Sequence, residues 1–264
     1  MGLVGRIIRM GACDGPMNMA LDEALARLCR DDAELRFYEW DPPALSIGYF
    51  QRAAEIDPAT CREAAIPLVR RPTGGRAVLH GHDLTYGLIL PLRSPWTDYS
   101  VAESYRRING CLQQGLQRLG VPVSIGTASA GAGPGPSPFC FSAIVQHELM
   151  VDGRKLIGSA QRRFPTALLQ QGSILMDAEP PALLARLWGS KRTQRADSLG
   201  SATSLREALG RRPDRAEVEA AIAGAFGSML DIRFREGTLE PGELALARRL
   251  VETHYASDEW TFRR

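Results

Sequence analysis

Lysine is nearly missing from this chain: Lys155 and Lys191 stand against 30 arginines in 264 residues. Basic tracts are missing as well, since Arg70-Arg71 and Arg162-Arg163 are only pairs and the formal net charge is +2. A balance this even excludes the strong field that draws a protein to nucleic acid or to an acidic membrane surface. No Cys-x-x-Cys occurs, and Cys13, Cys29, Cys61, Cys111 and Cys140 are odd in number and widely spaced. That excludes a disulfide framework and a cysteine zinc site, and it suits a reducing compartment. Apolar runs are as short as Leu88-Ile89-Leu90, so no segment is long enough to span a bilayer as a helix. Residues 1–10 are too short and too charged for a secretory signal. The sequence therefore points to a cytoplasmic protein without membrane attachment.

What is present is the composition of a folded globular chain, with 44% hydrophobic and 23% charged residues arguing against overall disorder. The length fits one domain over residues 1–264. Base composition of the genome accounts for the arginine bias as such. Lysine, however, offers a compact, tunable ammonium where arginine offers a wide, permanently charged fork. Lys155, kept beside Arg154, is on that ground a candidate functional residue, whereas Lys191 sits in a polar Gly-Ser-Lys-Arg-Thr stretch without such a mark.

Along the chain, residues 6–10 open as a strand. Residues 17–30 carry Met17, Leu21, Leu25 and Leu28 at helical spacing. Residues 35–40 and 44–50 read as two strands joined by a turn at Asp41-Pro42-Pro43, and 58–65 as a short helix. Strand-like runs at 67–72 and 76–80 flank Thr73-Gly74-Gly75, and 84–90 follows as a third strand. Residues 100–119 form an amphipathic helix with Val101, Tyr105, Ile108, Leu112, Leu116 and Leu119 on one face. Residues 126–138, built only of Ala, Gly, Ser, Thr and Pro, read as a mobile loop of the kind that serves as a functional lid. Residues 148–151 and 154–157 alternate about Asp152-Gly153, a hairpin turn pair, and 168–176 is another strand. From about residue 180 the pattern is mainly helical, at 181–188, 204–209, 214–230 and 241–256, with a short strand at 231–235. The expected class is α+β, a mixed sheet core flanked by helices with a helical C-terminal part.

Two stretches carry chemistry. In the first, Arg70, Arg71, Pro72, Thr73, Gly74, Gly75 and Arg76 lead to His80. Adjacent glycines let the backbone approach a ligand, and arginines before them suit an anionic group; the plain alternative is a tight turn. The spacing is not that of a P-loop. His80 and His82 would share a face on a strand, but only Asp83 stands near as a third ligand, so a hydrogen-bonded structural His80 is the better reading than a metal site. In the second stretch, Cys140 follows the loop, flanked by Phe139 and Phe141, and precedes Gly153-Arg154-Lys155. The other four cysteines fit ordinary buried thiols. Lys155, if near Cys140, favours its thiolate. Gly158, Ser159, Ala160 and Gln161 are small residues within a strand that leave room for a ligand against the backbone.

Together these stretches resemble the lipoate–protein ligase and octanoyltransferase superfamily, which shares its fold with biotin protein ligases. The resemblance lies in Arg71-Pro-Thr-Gly-Gly75 with His80 and Leu84-Thr-Tyr86, in Gly153-Arg-Lys-Leu-Ile-Gly-Ser-Ala-Gln161 with Gln171-Gly-Ser-Ile174, and in Met17-Asn-Met-Ala-Leu-Asp-Glu23. Residues 255–260 are similar to the end of the cysteine-dependent octanoyltransferase branch. Cys140 stands where that branch has its catalytic cysteine, and Arg76 stands where many ligases have a third glycine.

The resemblance implies two acyl transfers. Cys140 takes octanoyl from octanoyl-acyl carrier protein, and a lipoyl-domain lysine then takes it from Cys140. Lys155 holds the acyl carbonyl and lowers the thiol's pKa. Backbone donors near Gly74-Gly75 face the oxyanion, and residues 158–161 line the acyl tunnel. Arg70, Arg71, Thr73, Arg76, His80 and Gly172 complete the expected substrate-binding set, His80 orienting a partner or moving a proton. The glycine-cleavage H protein and 2-oxoacid dehydrogenase acyltransferase subunits are the expected acceptors. Neither metal nor nucleotide is required, and a monomer is expected. Three rivals stay open: a ligase using ATP and magnesium, an amidotransferase between lipoyl domains, and a silent binding protein for lipoylated partners.

Overall fold

The computed structural model describes residues 2–93, 96–126, 148–178, 187 and 202–264. Cys140, Lys191, the loop expected at 126–138 beyond Gly126, and the helix expected at 181–188 apart from Leu187 lie outside the described residues.

An eight-stranded mixed sheet forms the centre. Its strands are β1 (Leu3–Cys13), β2 (Ala33–Trp40), β6 (Asp83–Pro91), β7 (Ser124–Ile125), β8 (Leu149–Val151), β9 (Arg154–Arg163), β10 (Ala167–Leu175) and β11 (Ile232–Gly237), in the order β11-β1-β2-β6-β10-β9-β8-β7. β1 runs parallel to both β11 and β2, while β2, β6, β10, β9, β8 and β7 pair antiparallel in turn. A second sheet holds β3 (Ala44–Ile47), β4 (Leu68–Arg70) and β5 (Val78–His80), in the order β4-β3-β5. The α+β class with a mixed sheet core, expected from the order of elements, is what the chain adopts.

Every residue of β6 and β10 is buried. Both faces of these strands are covered, which is why they read as nearly continuous apolar runs with few polar interruptions. One face carries Phe37, Tyr86, Leu88, Leu168 and Ile174 against α3 (Val101–Arg118) and α5 (Arg215–Leu230). The apolar stripe of α3, Ile108, Leu112 and Leu116, is fully enclosed there, although Val101 at its first position stays 59% exposed. The other face is packed by α1 (Gly15–Leu28), which in turn lies against α6 (Pro241–Leu250) and the turn Val251–Tyr255.

Helix α1 starts where Asp14 accepts the Met17 amide at 2.8 Å. It is buried on all sides over most of its length, carboxylates included: Asp22 and Glu23 are 0% and 2% exposed. Periodicity finds the helix, but not that its acidic residues point inward.

Two of the connections between the expected strands do not close hairpins. β2 and β3 are joined at Asp41-Pro42-Pro43 but belong to different sheets. Likewise β4 and β5 do not pair with each other across the glycines: both flank β3, one parallel and one antiparallel. The segment 71–77 therefore crosses the end of β3 instead of closing a hairpin. The Asp152-Gly153 hairpin forms as read, with φ of 49° and 74° at its two central residues, the left-handed pair of a type I′ turn.

Among the described residues no helix is long and apolar enough to cross a membrane.

Candidate functional site

The two sheets face each other across a cleft of about 360 Å³, its open side included. The enclosed room within it is small, about 30 Å³, so the two walls lie close together. Its walls come from both motif regions: Arg71, Val78 and His80 on the small sheet, and Gly158, Ser159, Ala160 and Gly172 on the large one. Met19, Tyr38, Trp40 and Ser46 complete it. Stretches 80 residues apart in sequence are thus brought to one place. A larger cavity lined by Arg93, Trp96, Tyr99 and Asp231 contains none of the motif residues.

The small-residue strand works as a wall because of its neighbours. Ala160 lies opposite Gln171 and Gly158 opposite Ser173, so these four share the cleft face of the sheet. Ser159 and Gln161 alternate to the other face. There Ser159 meets the Tyr86 hydroxyl at 3.0 Å, and Gln161 bonds Ser104 and Gln170. Gly172 serves Tyr86 as much as any ligand: a Cβ at this position would fall 2.2 Å from the ring. Without one, Tyr86 lies across the strand and its hydroxyl accepts from Gln170 at 2.8 Å.

Lys155 is fully buried and ion-paired with Glu148. A register shift between β8 and β9 sets Leu149 opposite Ile157 and Met150 opposite Lys155, leaving Leu156 as an extra residue. Leu156 and Ile157 both feed the core under α3 and α5, as in a β-bulge. Lys155 then falls in phase with Gly158 and Ala160, the residues of the cleft wall.

The arginines before the glycines take a different part from the anion-holding one read in sequence. Arg70 is 0% exposed and donates to the carbonyls of Gly48, Gln51, Trp260 and Thr261, at 2.6 to 3.2 Å. It ties β4 to α7 (Asp258–Thr261). Burial, with Arg263, Arg264 and Arg71 nearby, pushes its pKa down to about 10. Arg71 lines the cleft but braces its own loop, donating to the carbonyls of Gly74 and Arg76, each at 2.7 Å. Gly75 (φ +85°) is exposed, and its carbonyl sits where a Cβ on Gly48 would lie, 1.8 Å away. Only glycine at position 48 admits the loop this close. Thr73, Gly74, Gly75 and Arg76, expected to bind substrate, are not among the residues that line the cleft.

Thr73 anchors that loop to a buried polar network. Its hydroxyl donates to Gln171 Oε1 at 2.7 Å, and Gln171 Nε2 donates to Asp22 at 2.6 Å. Asp22 also receives Arg36 and the Tyr38 hydroxyl, at 2.5 and 2.8 Å, and Arg36 reaches Asn18. Sequence reading missed Asp22, Arg36, Tyr38 and Gln171 as site residues. A carboxylate pair inside an apolar helix period, and two glutamines inside an apolar strand, were the signals available.

His80 and His82 do not share a strand face: β5 ends at His80, Gly81 (φ +142°) turns the chain, and β6 begins at Asp83. His80 is 4% exposed, stacked on Trp40 at 3.9 Å, and hydrogen-bonded to Ser46 and Asp83. Among the described residues no group of three or more His, Cys, Asp or Glu is placed to hold a metal. Burial pushes the Cys29 and Cys111 thiols up to about 12 and the Cys61 thiol up to about 11. None of these is a thiolate at neutral pH.

Comparison with known proteins agrees with this geometry. Residues 14–227 match the family model "Lipoyl protein ligase A/B catalytic domain". The chain is 39% identical to octanoyltransferase LipM of Kyrpidia tusciae over 272 residues, covering 98% of each protein. It is also 39% identical to octanoyltransferase LipM of Symbiobacterium thermophilum over 273 residues, with the same coverage. A solved lipoate-protein ligase A bound with ATP superposes with a TM-score of 0.80 at 26% identity, over 99% of both chains. The bipartite lipoate protein ligase of Thermoplasma acidophilum, solved in a study with its E2 lipoyl domain, does so with a TM-score of 0.82 at 26% identity, over 98% of this chain and 96% of that one.

Proposed function

Because this chain belongs to the lipoyl protein ligase A/B catalytic family and is an octanoyltransferase of lipoate biosynthesis, we propose that it carries the octanoyl group on Cys140. The Cys140 thiolate attacks the thioester carbonyl of octanoyl-acyl carrier protein. A new C–S bond forms and the carrier's thiol departs. The lysine amine of a lipoyl domain then attacks the Cys140 thioester, forming the amide and releasing the thiol. The glycine-cleavage H protein and 2-oxoacid dehydrogenase acyltransferase subunits are the acceptors to test. On this reading the chain acts in the cytoplasm as one catalytic domain and a monomer, without nucleotide or metal.

The observation that carries the reading is Lys155. It is a buried ammonium, ion-paired with Glu148, on the strand whose residues Gly158 and Ala160 wall the cleft; it is in phase with them but does not itself line the cleft. An ammonium so placed stabilises a thiolate or a developing oxyanion. Cys140 precedes that strand in sequence, and Cys29, Cys61 and Cys111 are poor nucleophiles by burial. The Gly158–Ala160 wall, without large side chains, suits an extended acyl chain.

The test is the intact mass of the protein after incubation with octanoyl-acyl carrier protein, without ATP, beside a Cys140→Ala control. One octanoyl added, absent from the control and removed by hydroxylamine, is the expected result. The likeness to an ATP-bound ligase makes the alternative specific. Labelling of a lipoyl domain that requires free octanoate and ATP, with no adduct on the enzyme, would replace Cys140 by an acyl-adenylate.

A further inference from the structure

Ser46, His80 and Asp83 form a hydrogen-bonded file on the small-sheet side of the cleft. Asp83 Oδ2 accepts from His80 at 2.8 Å, from Thr85 at 2.9 Å and from Ser173 at 2.6 Å, while Oδ1 accepts from the Gly81 amide at 3.1 Å. A carboxylate that only accepts holds the imidazole proton on Nδ1 and leaves the lone pair on Nε2. That nitrogen is 2.9 Å from Ser46 Oγ. The Trp40 ring, 10° from parallel to His80, fixes the imidazole plane, and its own Nε1 donates to Thr85 at 2.8 Å.

Ser46 and His80 both line the cleft, and both are nearly enclosed, at 1% and 4% exposed. A hydroxyl has one hydrogen and two lone pairs. Its hydrogen goes to His80, and Arg71 Nη1 donates to the oxygen at 3.1 Å. One lone pair is left for an incoming donor. A guanidinium beside it also disfavours a second cation there, which pushes an arriving ammonium toward its neutral amine.

We propose that Ser46, His80 and Asp83 are a proton relay for the amine that accepts the acyl group. The proposal rests on the reading that a lysine is the acceptor. Lysine reaches the site protonated, with an ordinary pKa near ~10.4, and an ammonium has no lone pair with which to attack. Its N–H donates to Ser46 Oγ. That proton passes to Ser46 as the serine's own proton passes to His80 Nε2, and Asp83 stabilises the resulting imidazolium. The neutral amine attacks the thioester carbonyl, the C–N bond forms and the C–S bond breaks. A second amine proton goes to the departing sulfur, and His80 releases its proton to solvent, one proton per transfer. Ser46 touches the substrate; His80 and Asp83 act through it.

The two nucleophiles that discharge an acyl-enzyme separate this role from a structural one. Hydroxylamine is neutral at neutral pH and requires no base, whereas a lipoyl-domain lysine does. Protein loaded from octanoyl-acyl carrier protein and isolated is mixed with a purified lipoyl domain or with hydroxylamine, in single turnovers. Ser46→Ala and His80→Gln are expected to slow release to lysine by about 10²–10⁴-fold, with hydroxylamine release changed by a few-fold at most. Equal slowing with both nucleophiles, or undiminished release to lysine, overturns the relay. Should His80→Gln fail to fold, Ser46→Ala, a small-for-small change in β3, reads the same ratio. Wild-type protein that takes up no acyl group overturns the Cys140 reading instead, and the relay with it.

Discussion

The Thr73 hydroxyl donates to Gln171 Oε1 across 98 residues of sequence, at 2.7 Å. Through this one bond the glycine loop of the small sheet is tied to β10 of the large sheet, and through Gln171 to Asp22 on α1. Both partners are buried. Thr73→Val leaves a buried amide oxygen without its donor, which costs about 1–3 kcal/mol. Urea unfolding should show that loss. Acyl loading should fall by more than stability explains, because the loop loses its anchor beside the cleft. A Thr73→Val, Gln171→Leu cycle should give a coupling above about 0.5 kcal/mol; additive effects would mean that the loop is positioned by other contacts.

Lys155 and Glu148 should separate stability from catalysis. Removing the cation from a buried carboxylate costs about 3–5 kcal/mol, while replacing both partners by apolar residues is far milder. Lys155→Met is therefore expected to unfold at much lower urea than wild type, with Lys155→Met, Glu148→Leu recovering most of the difference. Acyl loading should recover in neither. Lys155→Arg keeps the charge but not the compact ammonium, so loading by that variant at the wild-type rate would show that charge alone suffices.

The thiols predict a labelling pattern. Cys29, Cys61 and Cys111 are buried, and burial raises each thiol to between about 11 and about 12. Native protein treated with iodoacetamide near pH 8 should be alkylated only at Cys140 and Cys13, and all five cysteines should react in urea. Prior loading with octanoyl should protect Cys140 alone, read by peptide mass. Protection of Cys13 instead would move the acyl group to the end of β1.

Asp83 predicts the acid limb of stability. Burial by itself raises its carboxyl, but the His80 charge and hydrogen bonds from His80, Ser173 and Gly81 outweigh that and hold it below its ordinary value of 3.8. A carboxylate depressed in the folded state adds stability above its unfolded pKa and loses it as pH falls through the folded value. Urea midpoints should therefore drop on acidification from about pH 5 toward about pH 2. Asp83→Asn, less stable at neutral pH, should show a shallower drop over that window. An unchanged slope would assign the acid limb to other carboxylates.

Much of the fold was legible because local signals and tertiary outcome coincide. The Ile108, Leu112 and Leu116 stripe had to bury one face of a helix, and Asp152-Gly153 had to turn a hairpin of left-handed φ. Both follow from interactions within a few residues. The motif residues His80 and Gly158 to Ala160 were likewise singled out by kind and order, and they line one cleft. Asp22 was not, since a carboxylate on a helix reads as a solvated face unless its partners are known. Those partners, Arg36, Tyr38 and Gln171, come from two other strands.

By itself the sequence determined the element order, the α+β class, and which short stretches bear chemistry. Each depends on spacing, side-chain type and turn geometry along one chain. Tertiary structure decided that β3 separates β4 from β5, that Arg70 binds carbonyls, and that the Leu156 bulge sets Lys155 in phase with Gly158. It also decided that Ser46 and Asp83 stand on either side of His80. Those are relations between strands, set by register and by burial of hydrogen-bonding groups that must find partners, and no pattern along a single strand encodes them.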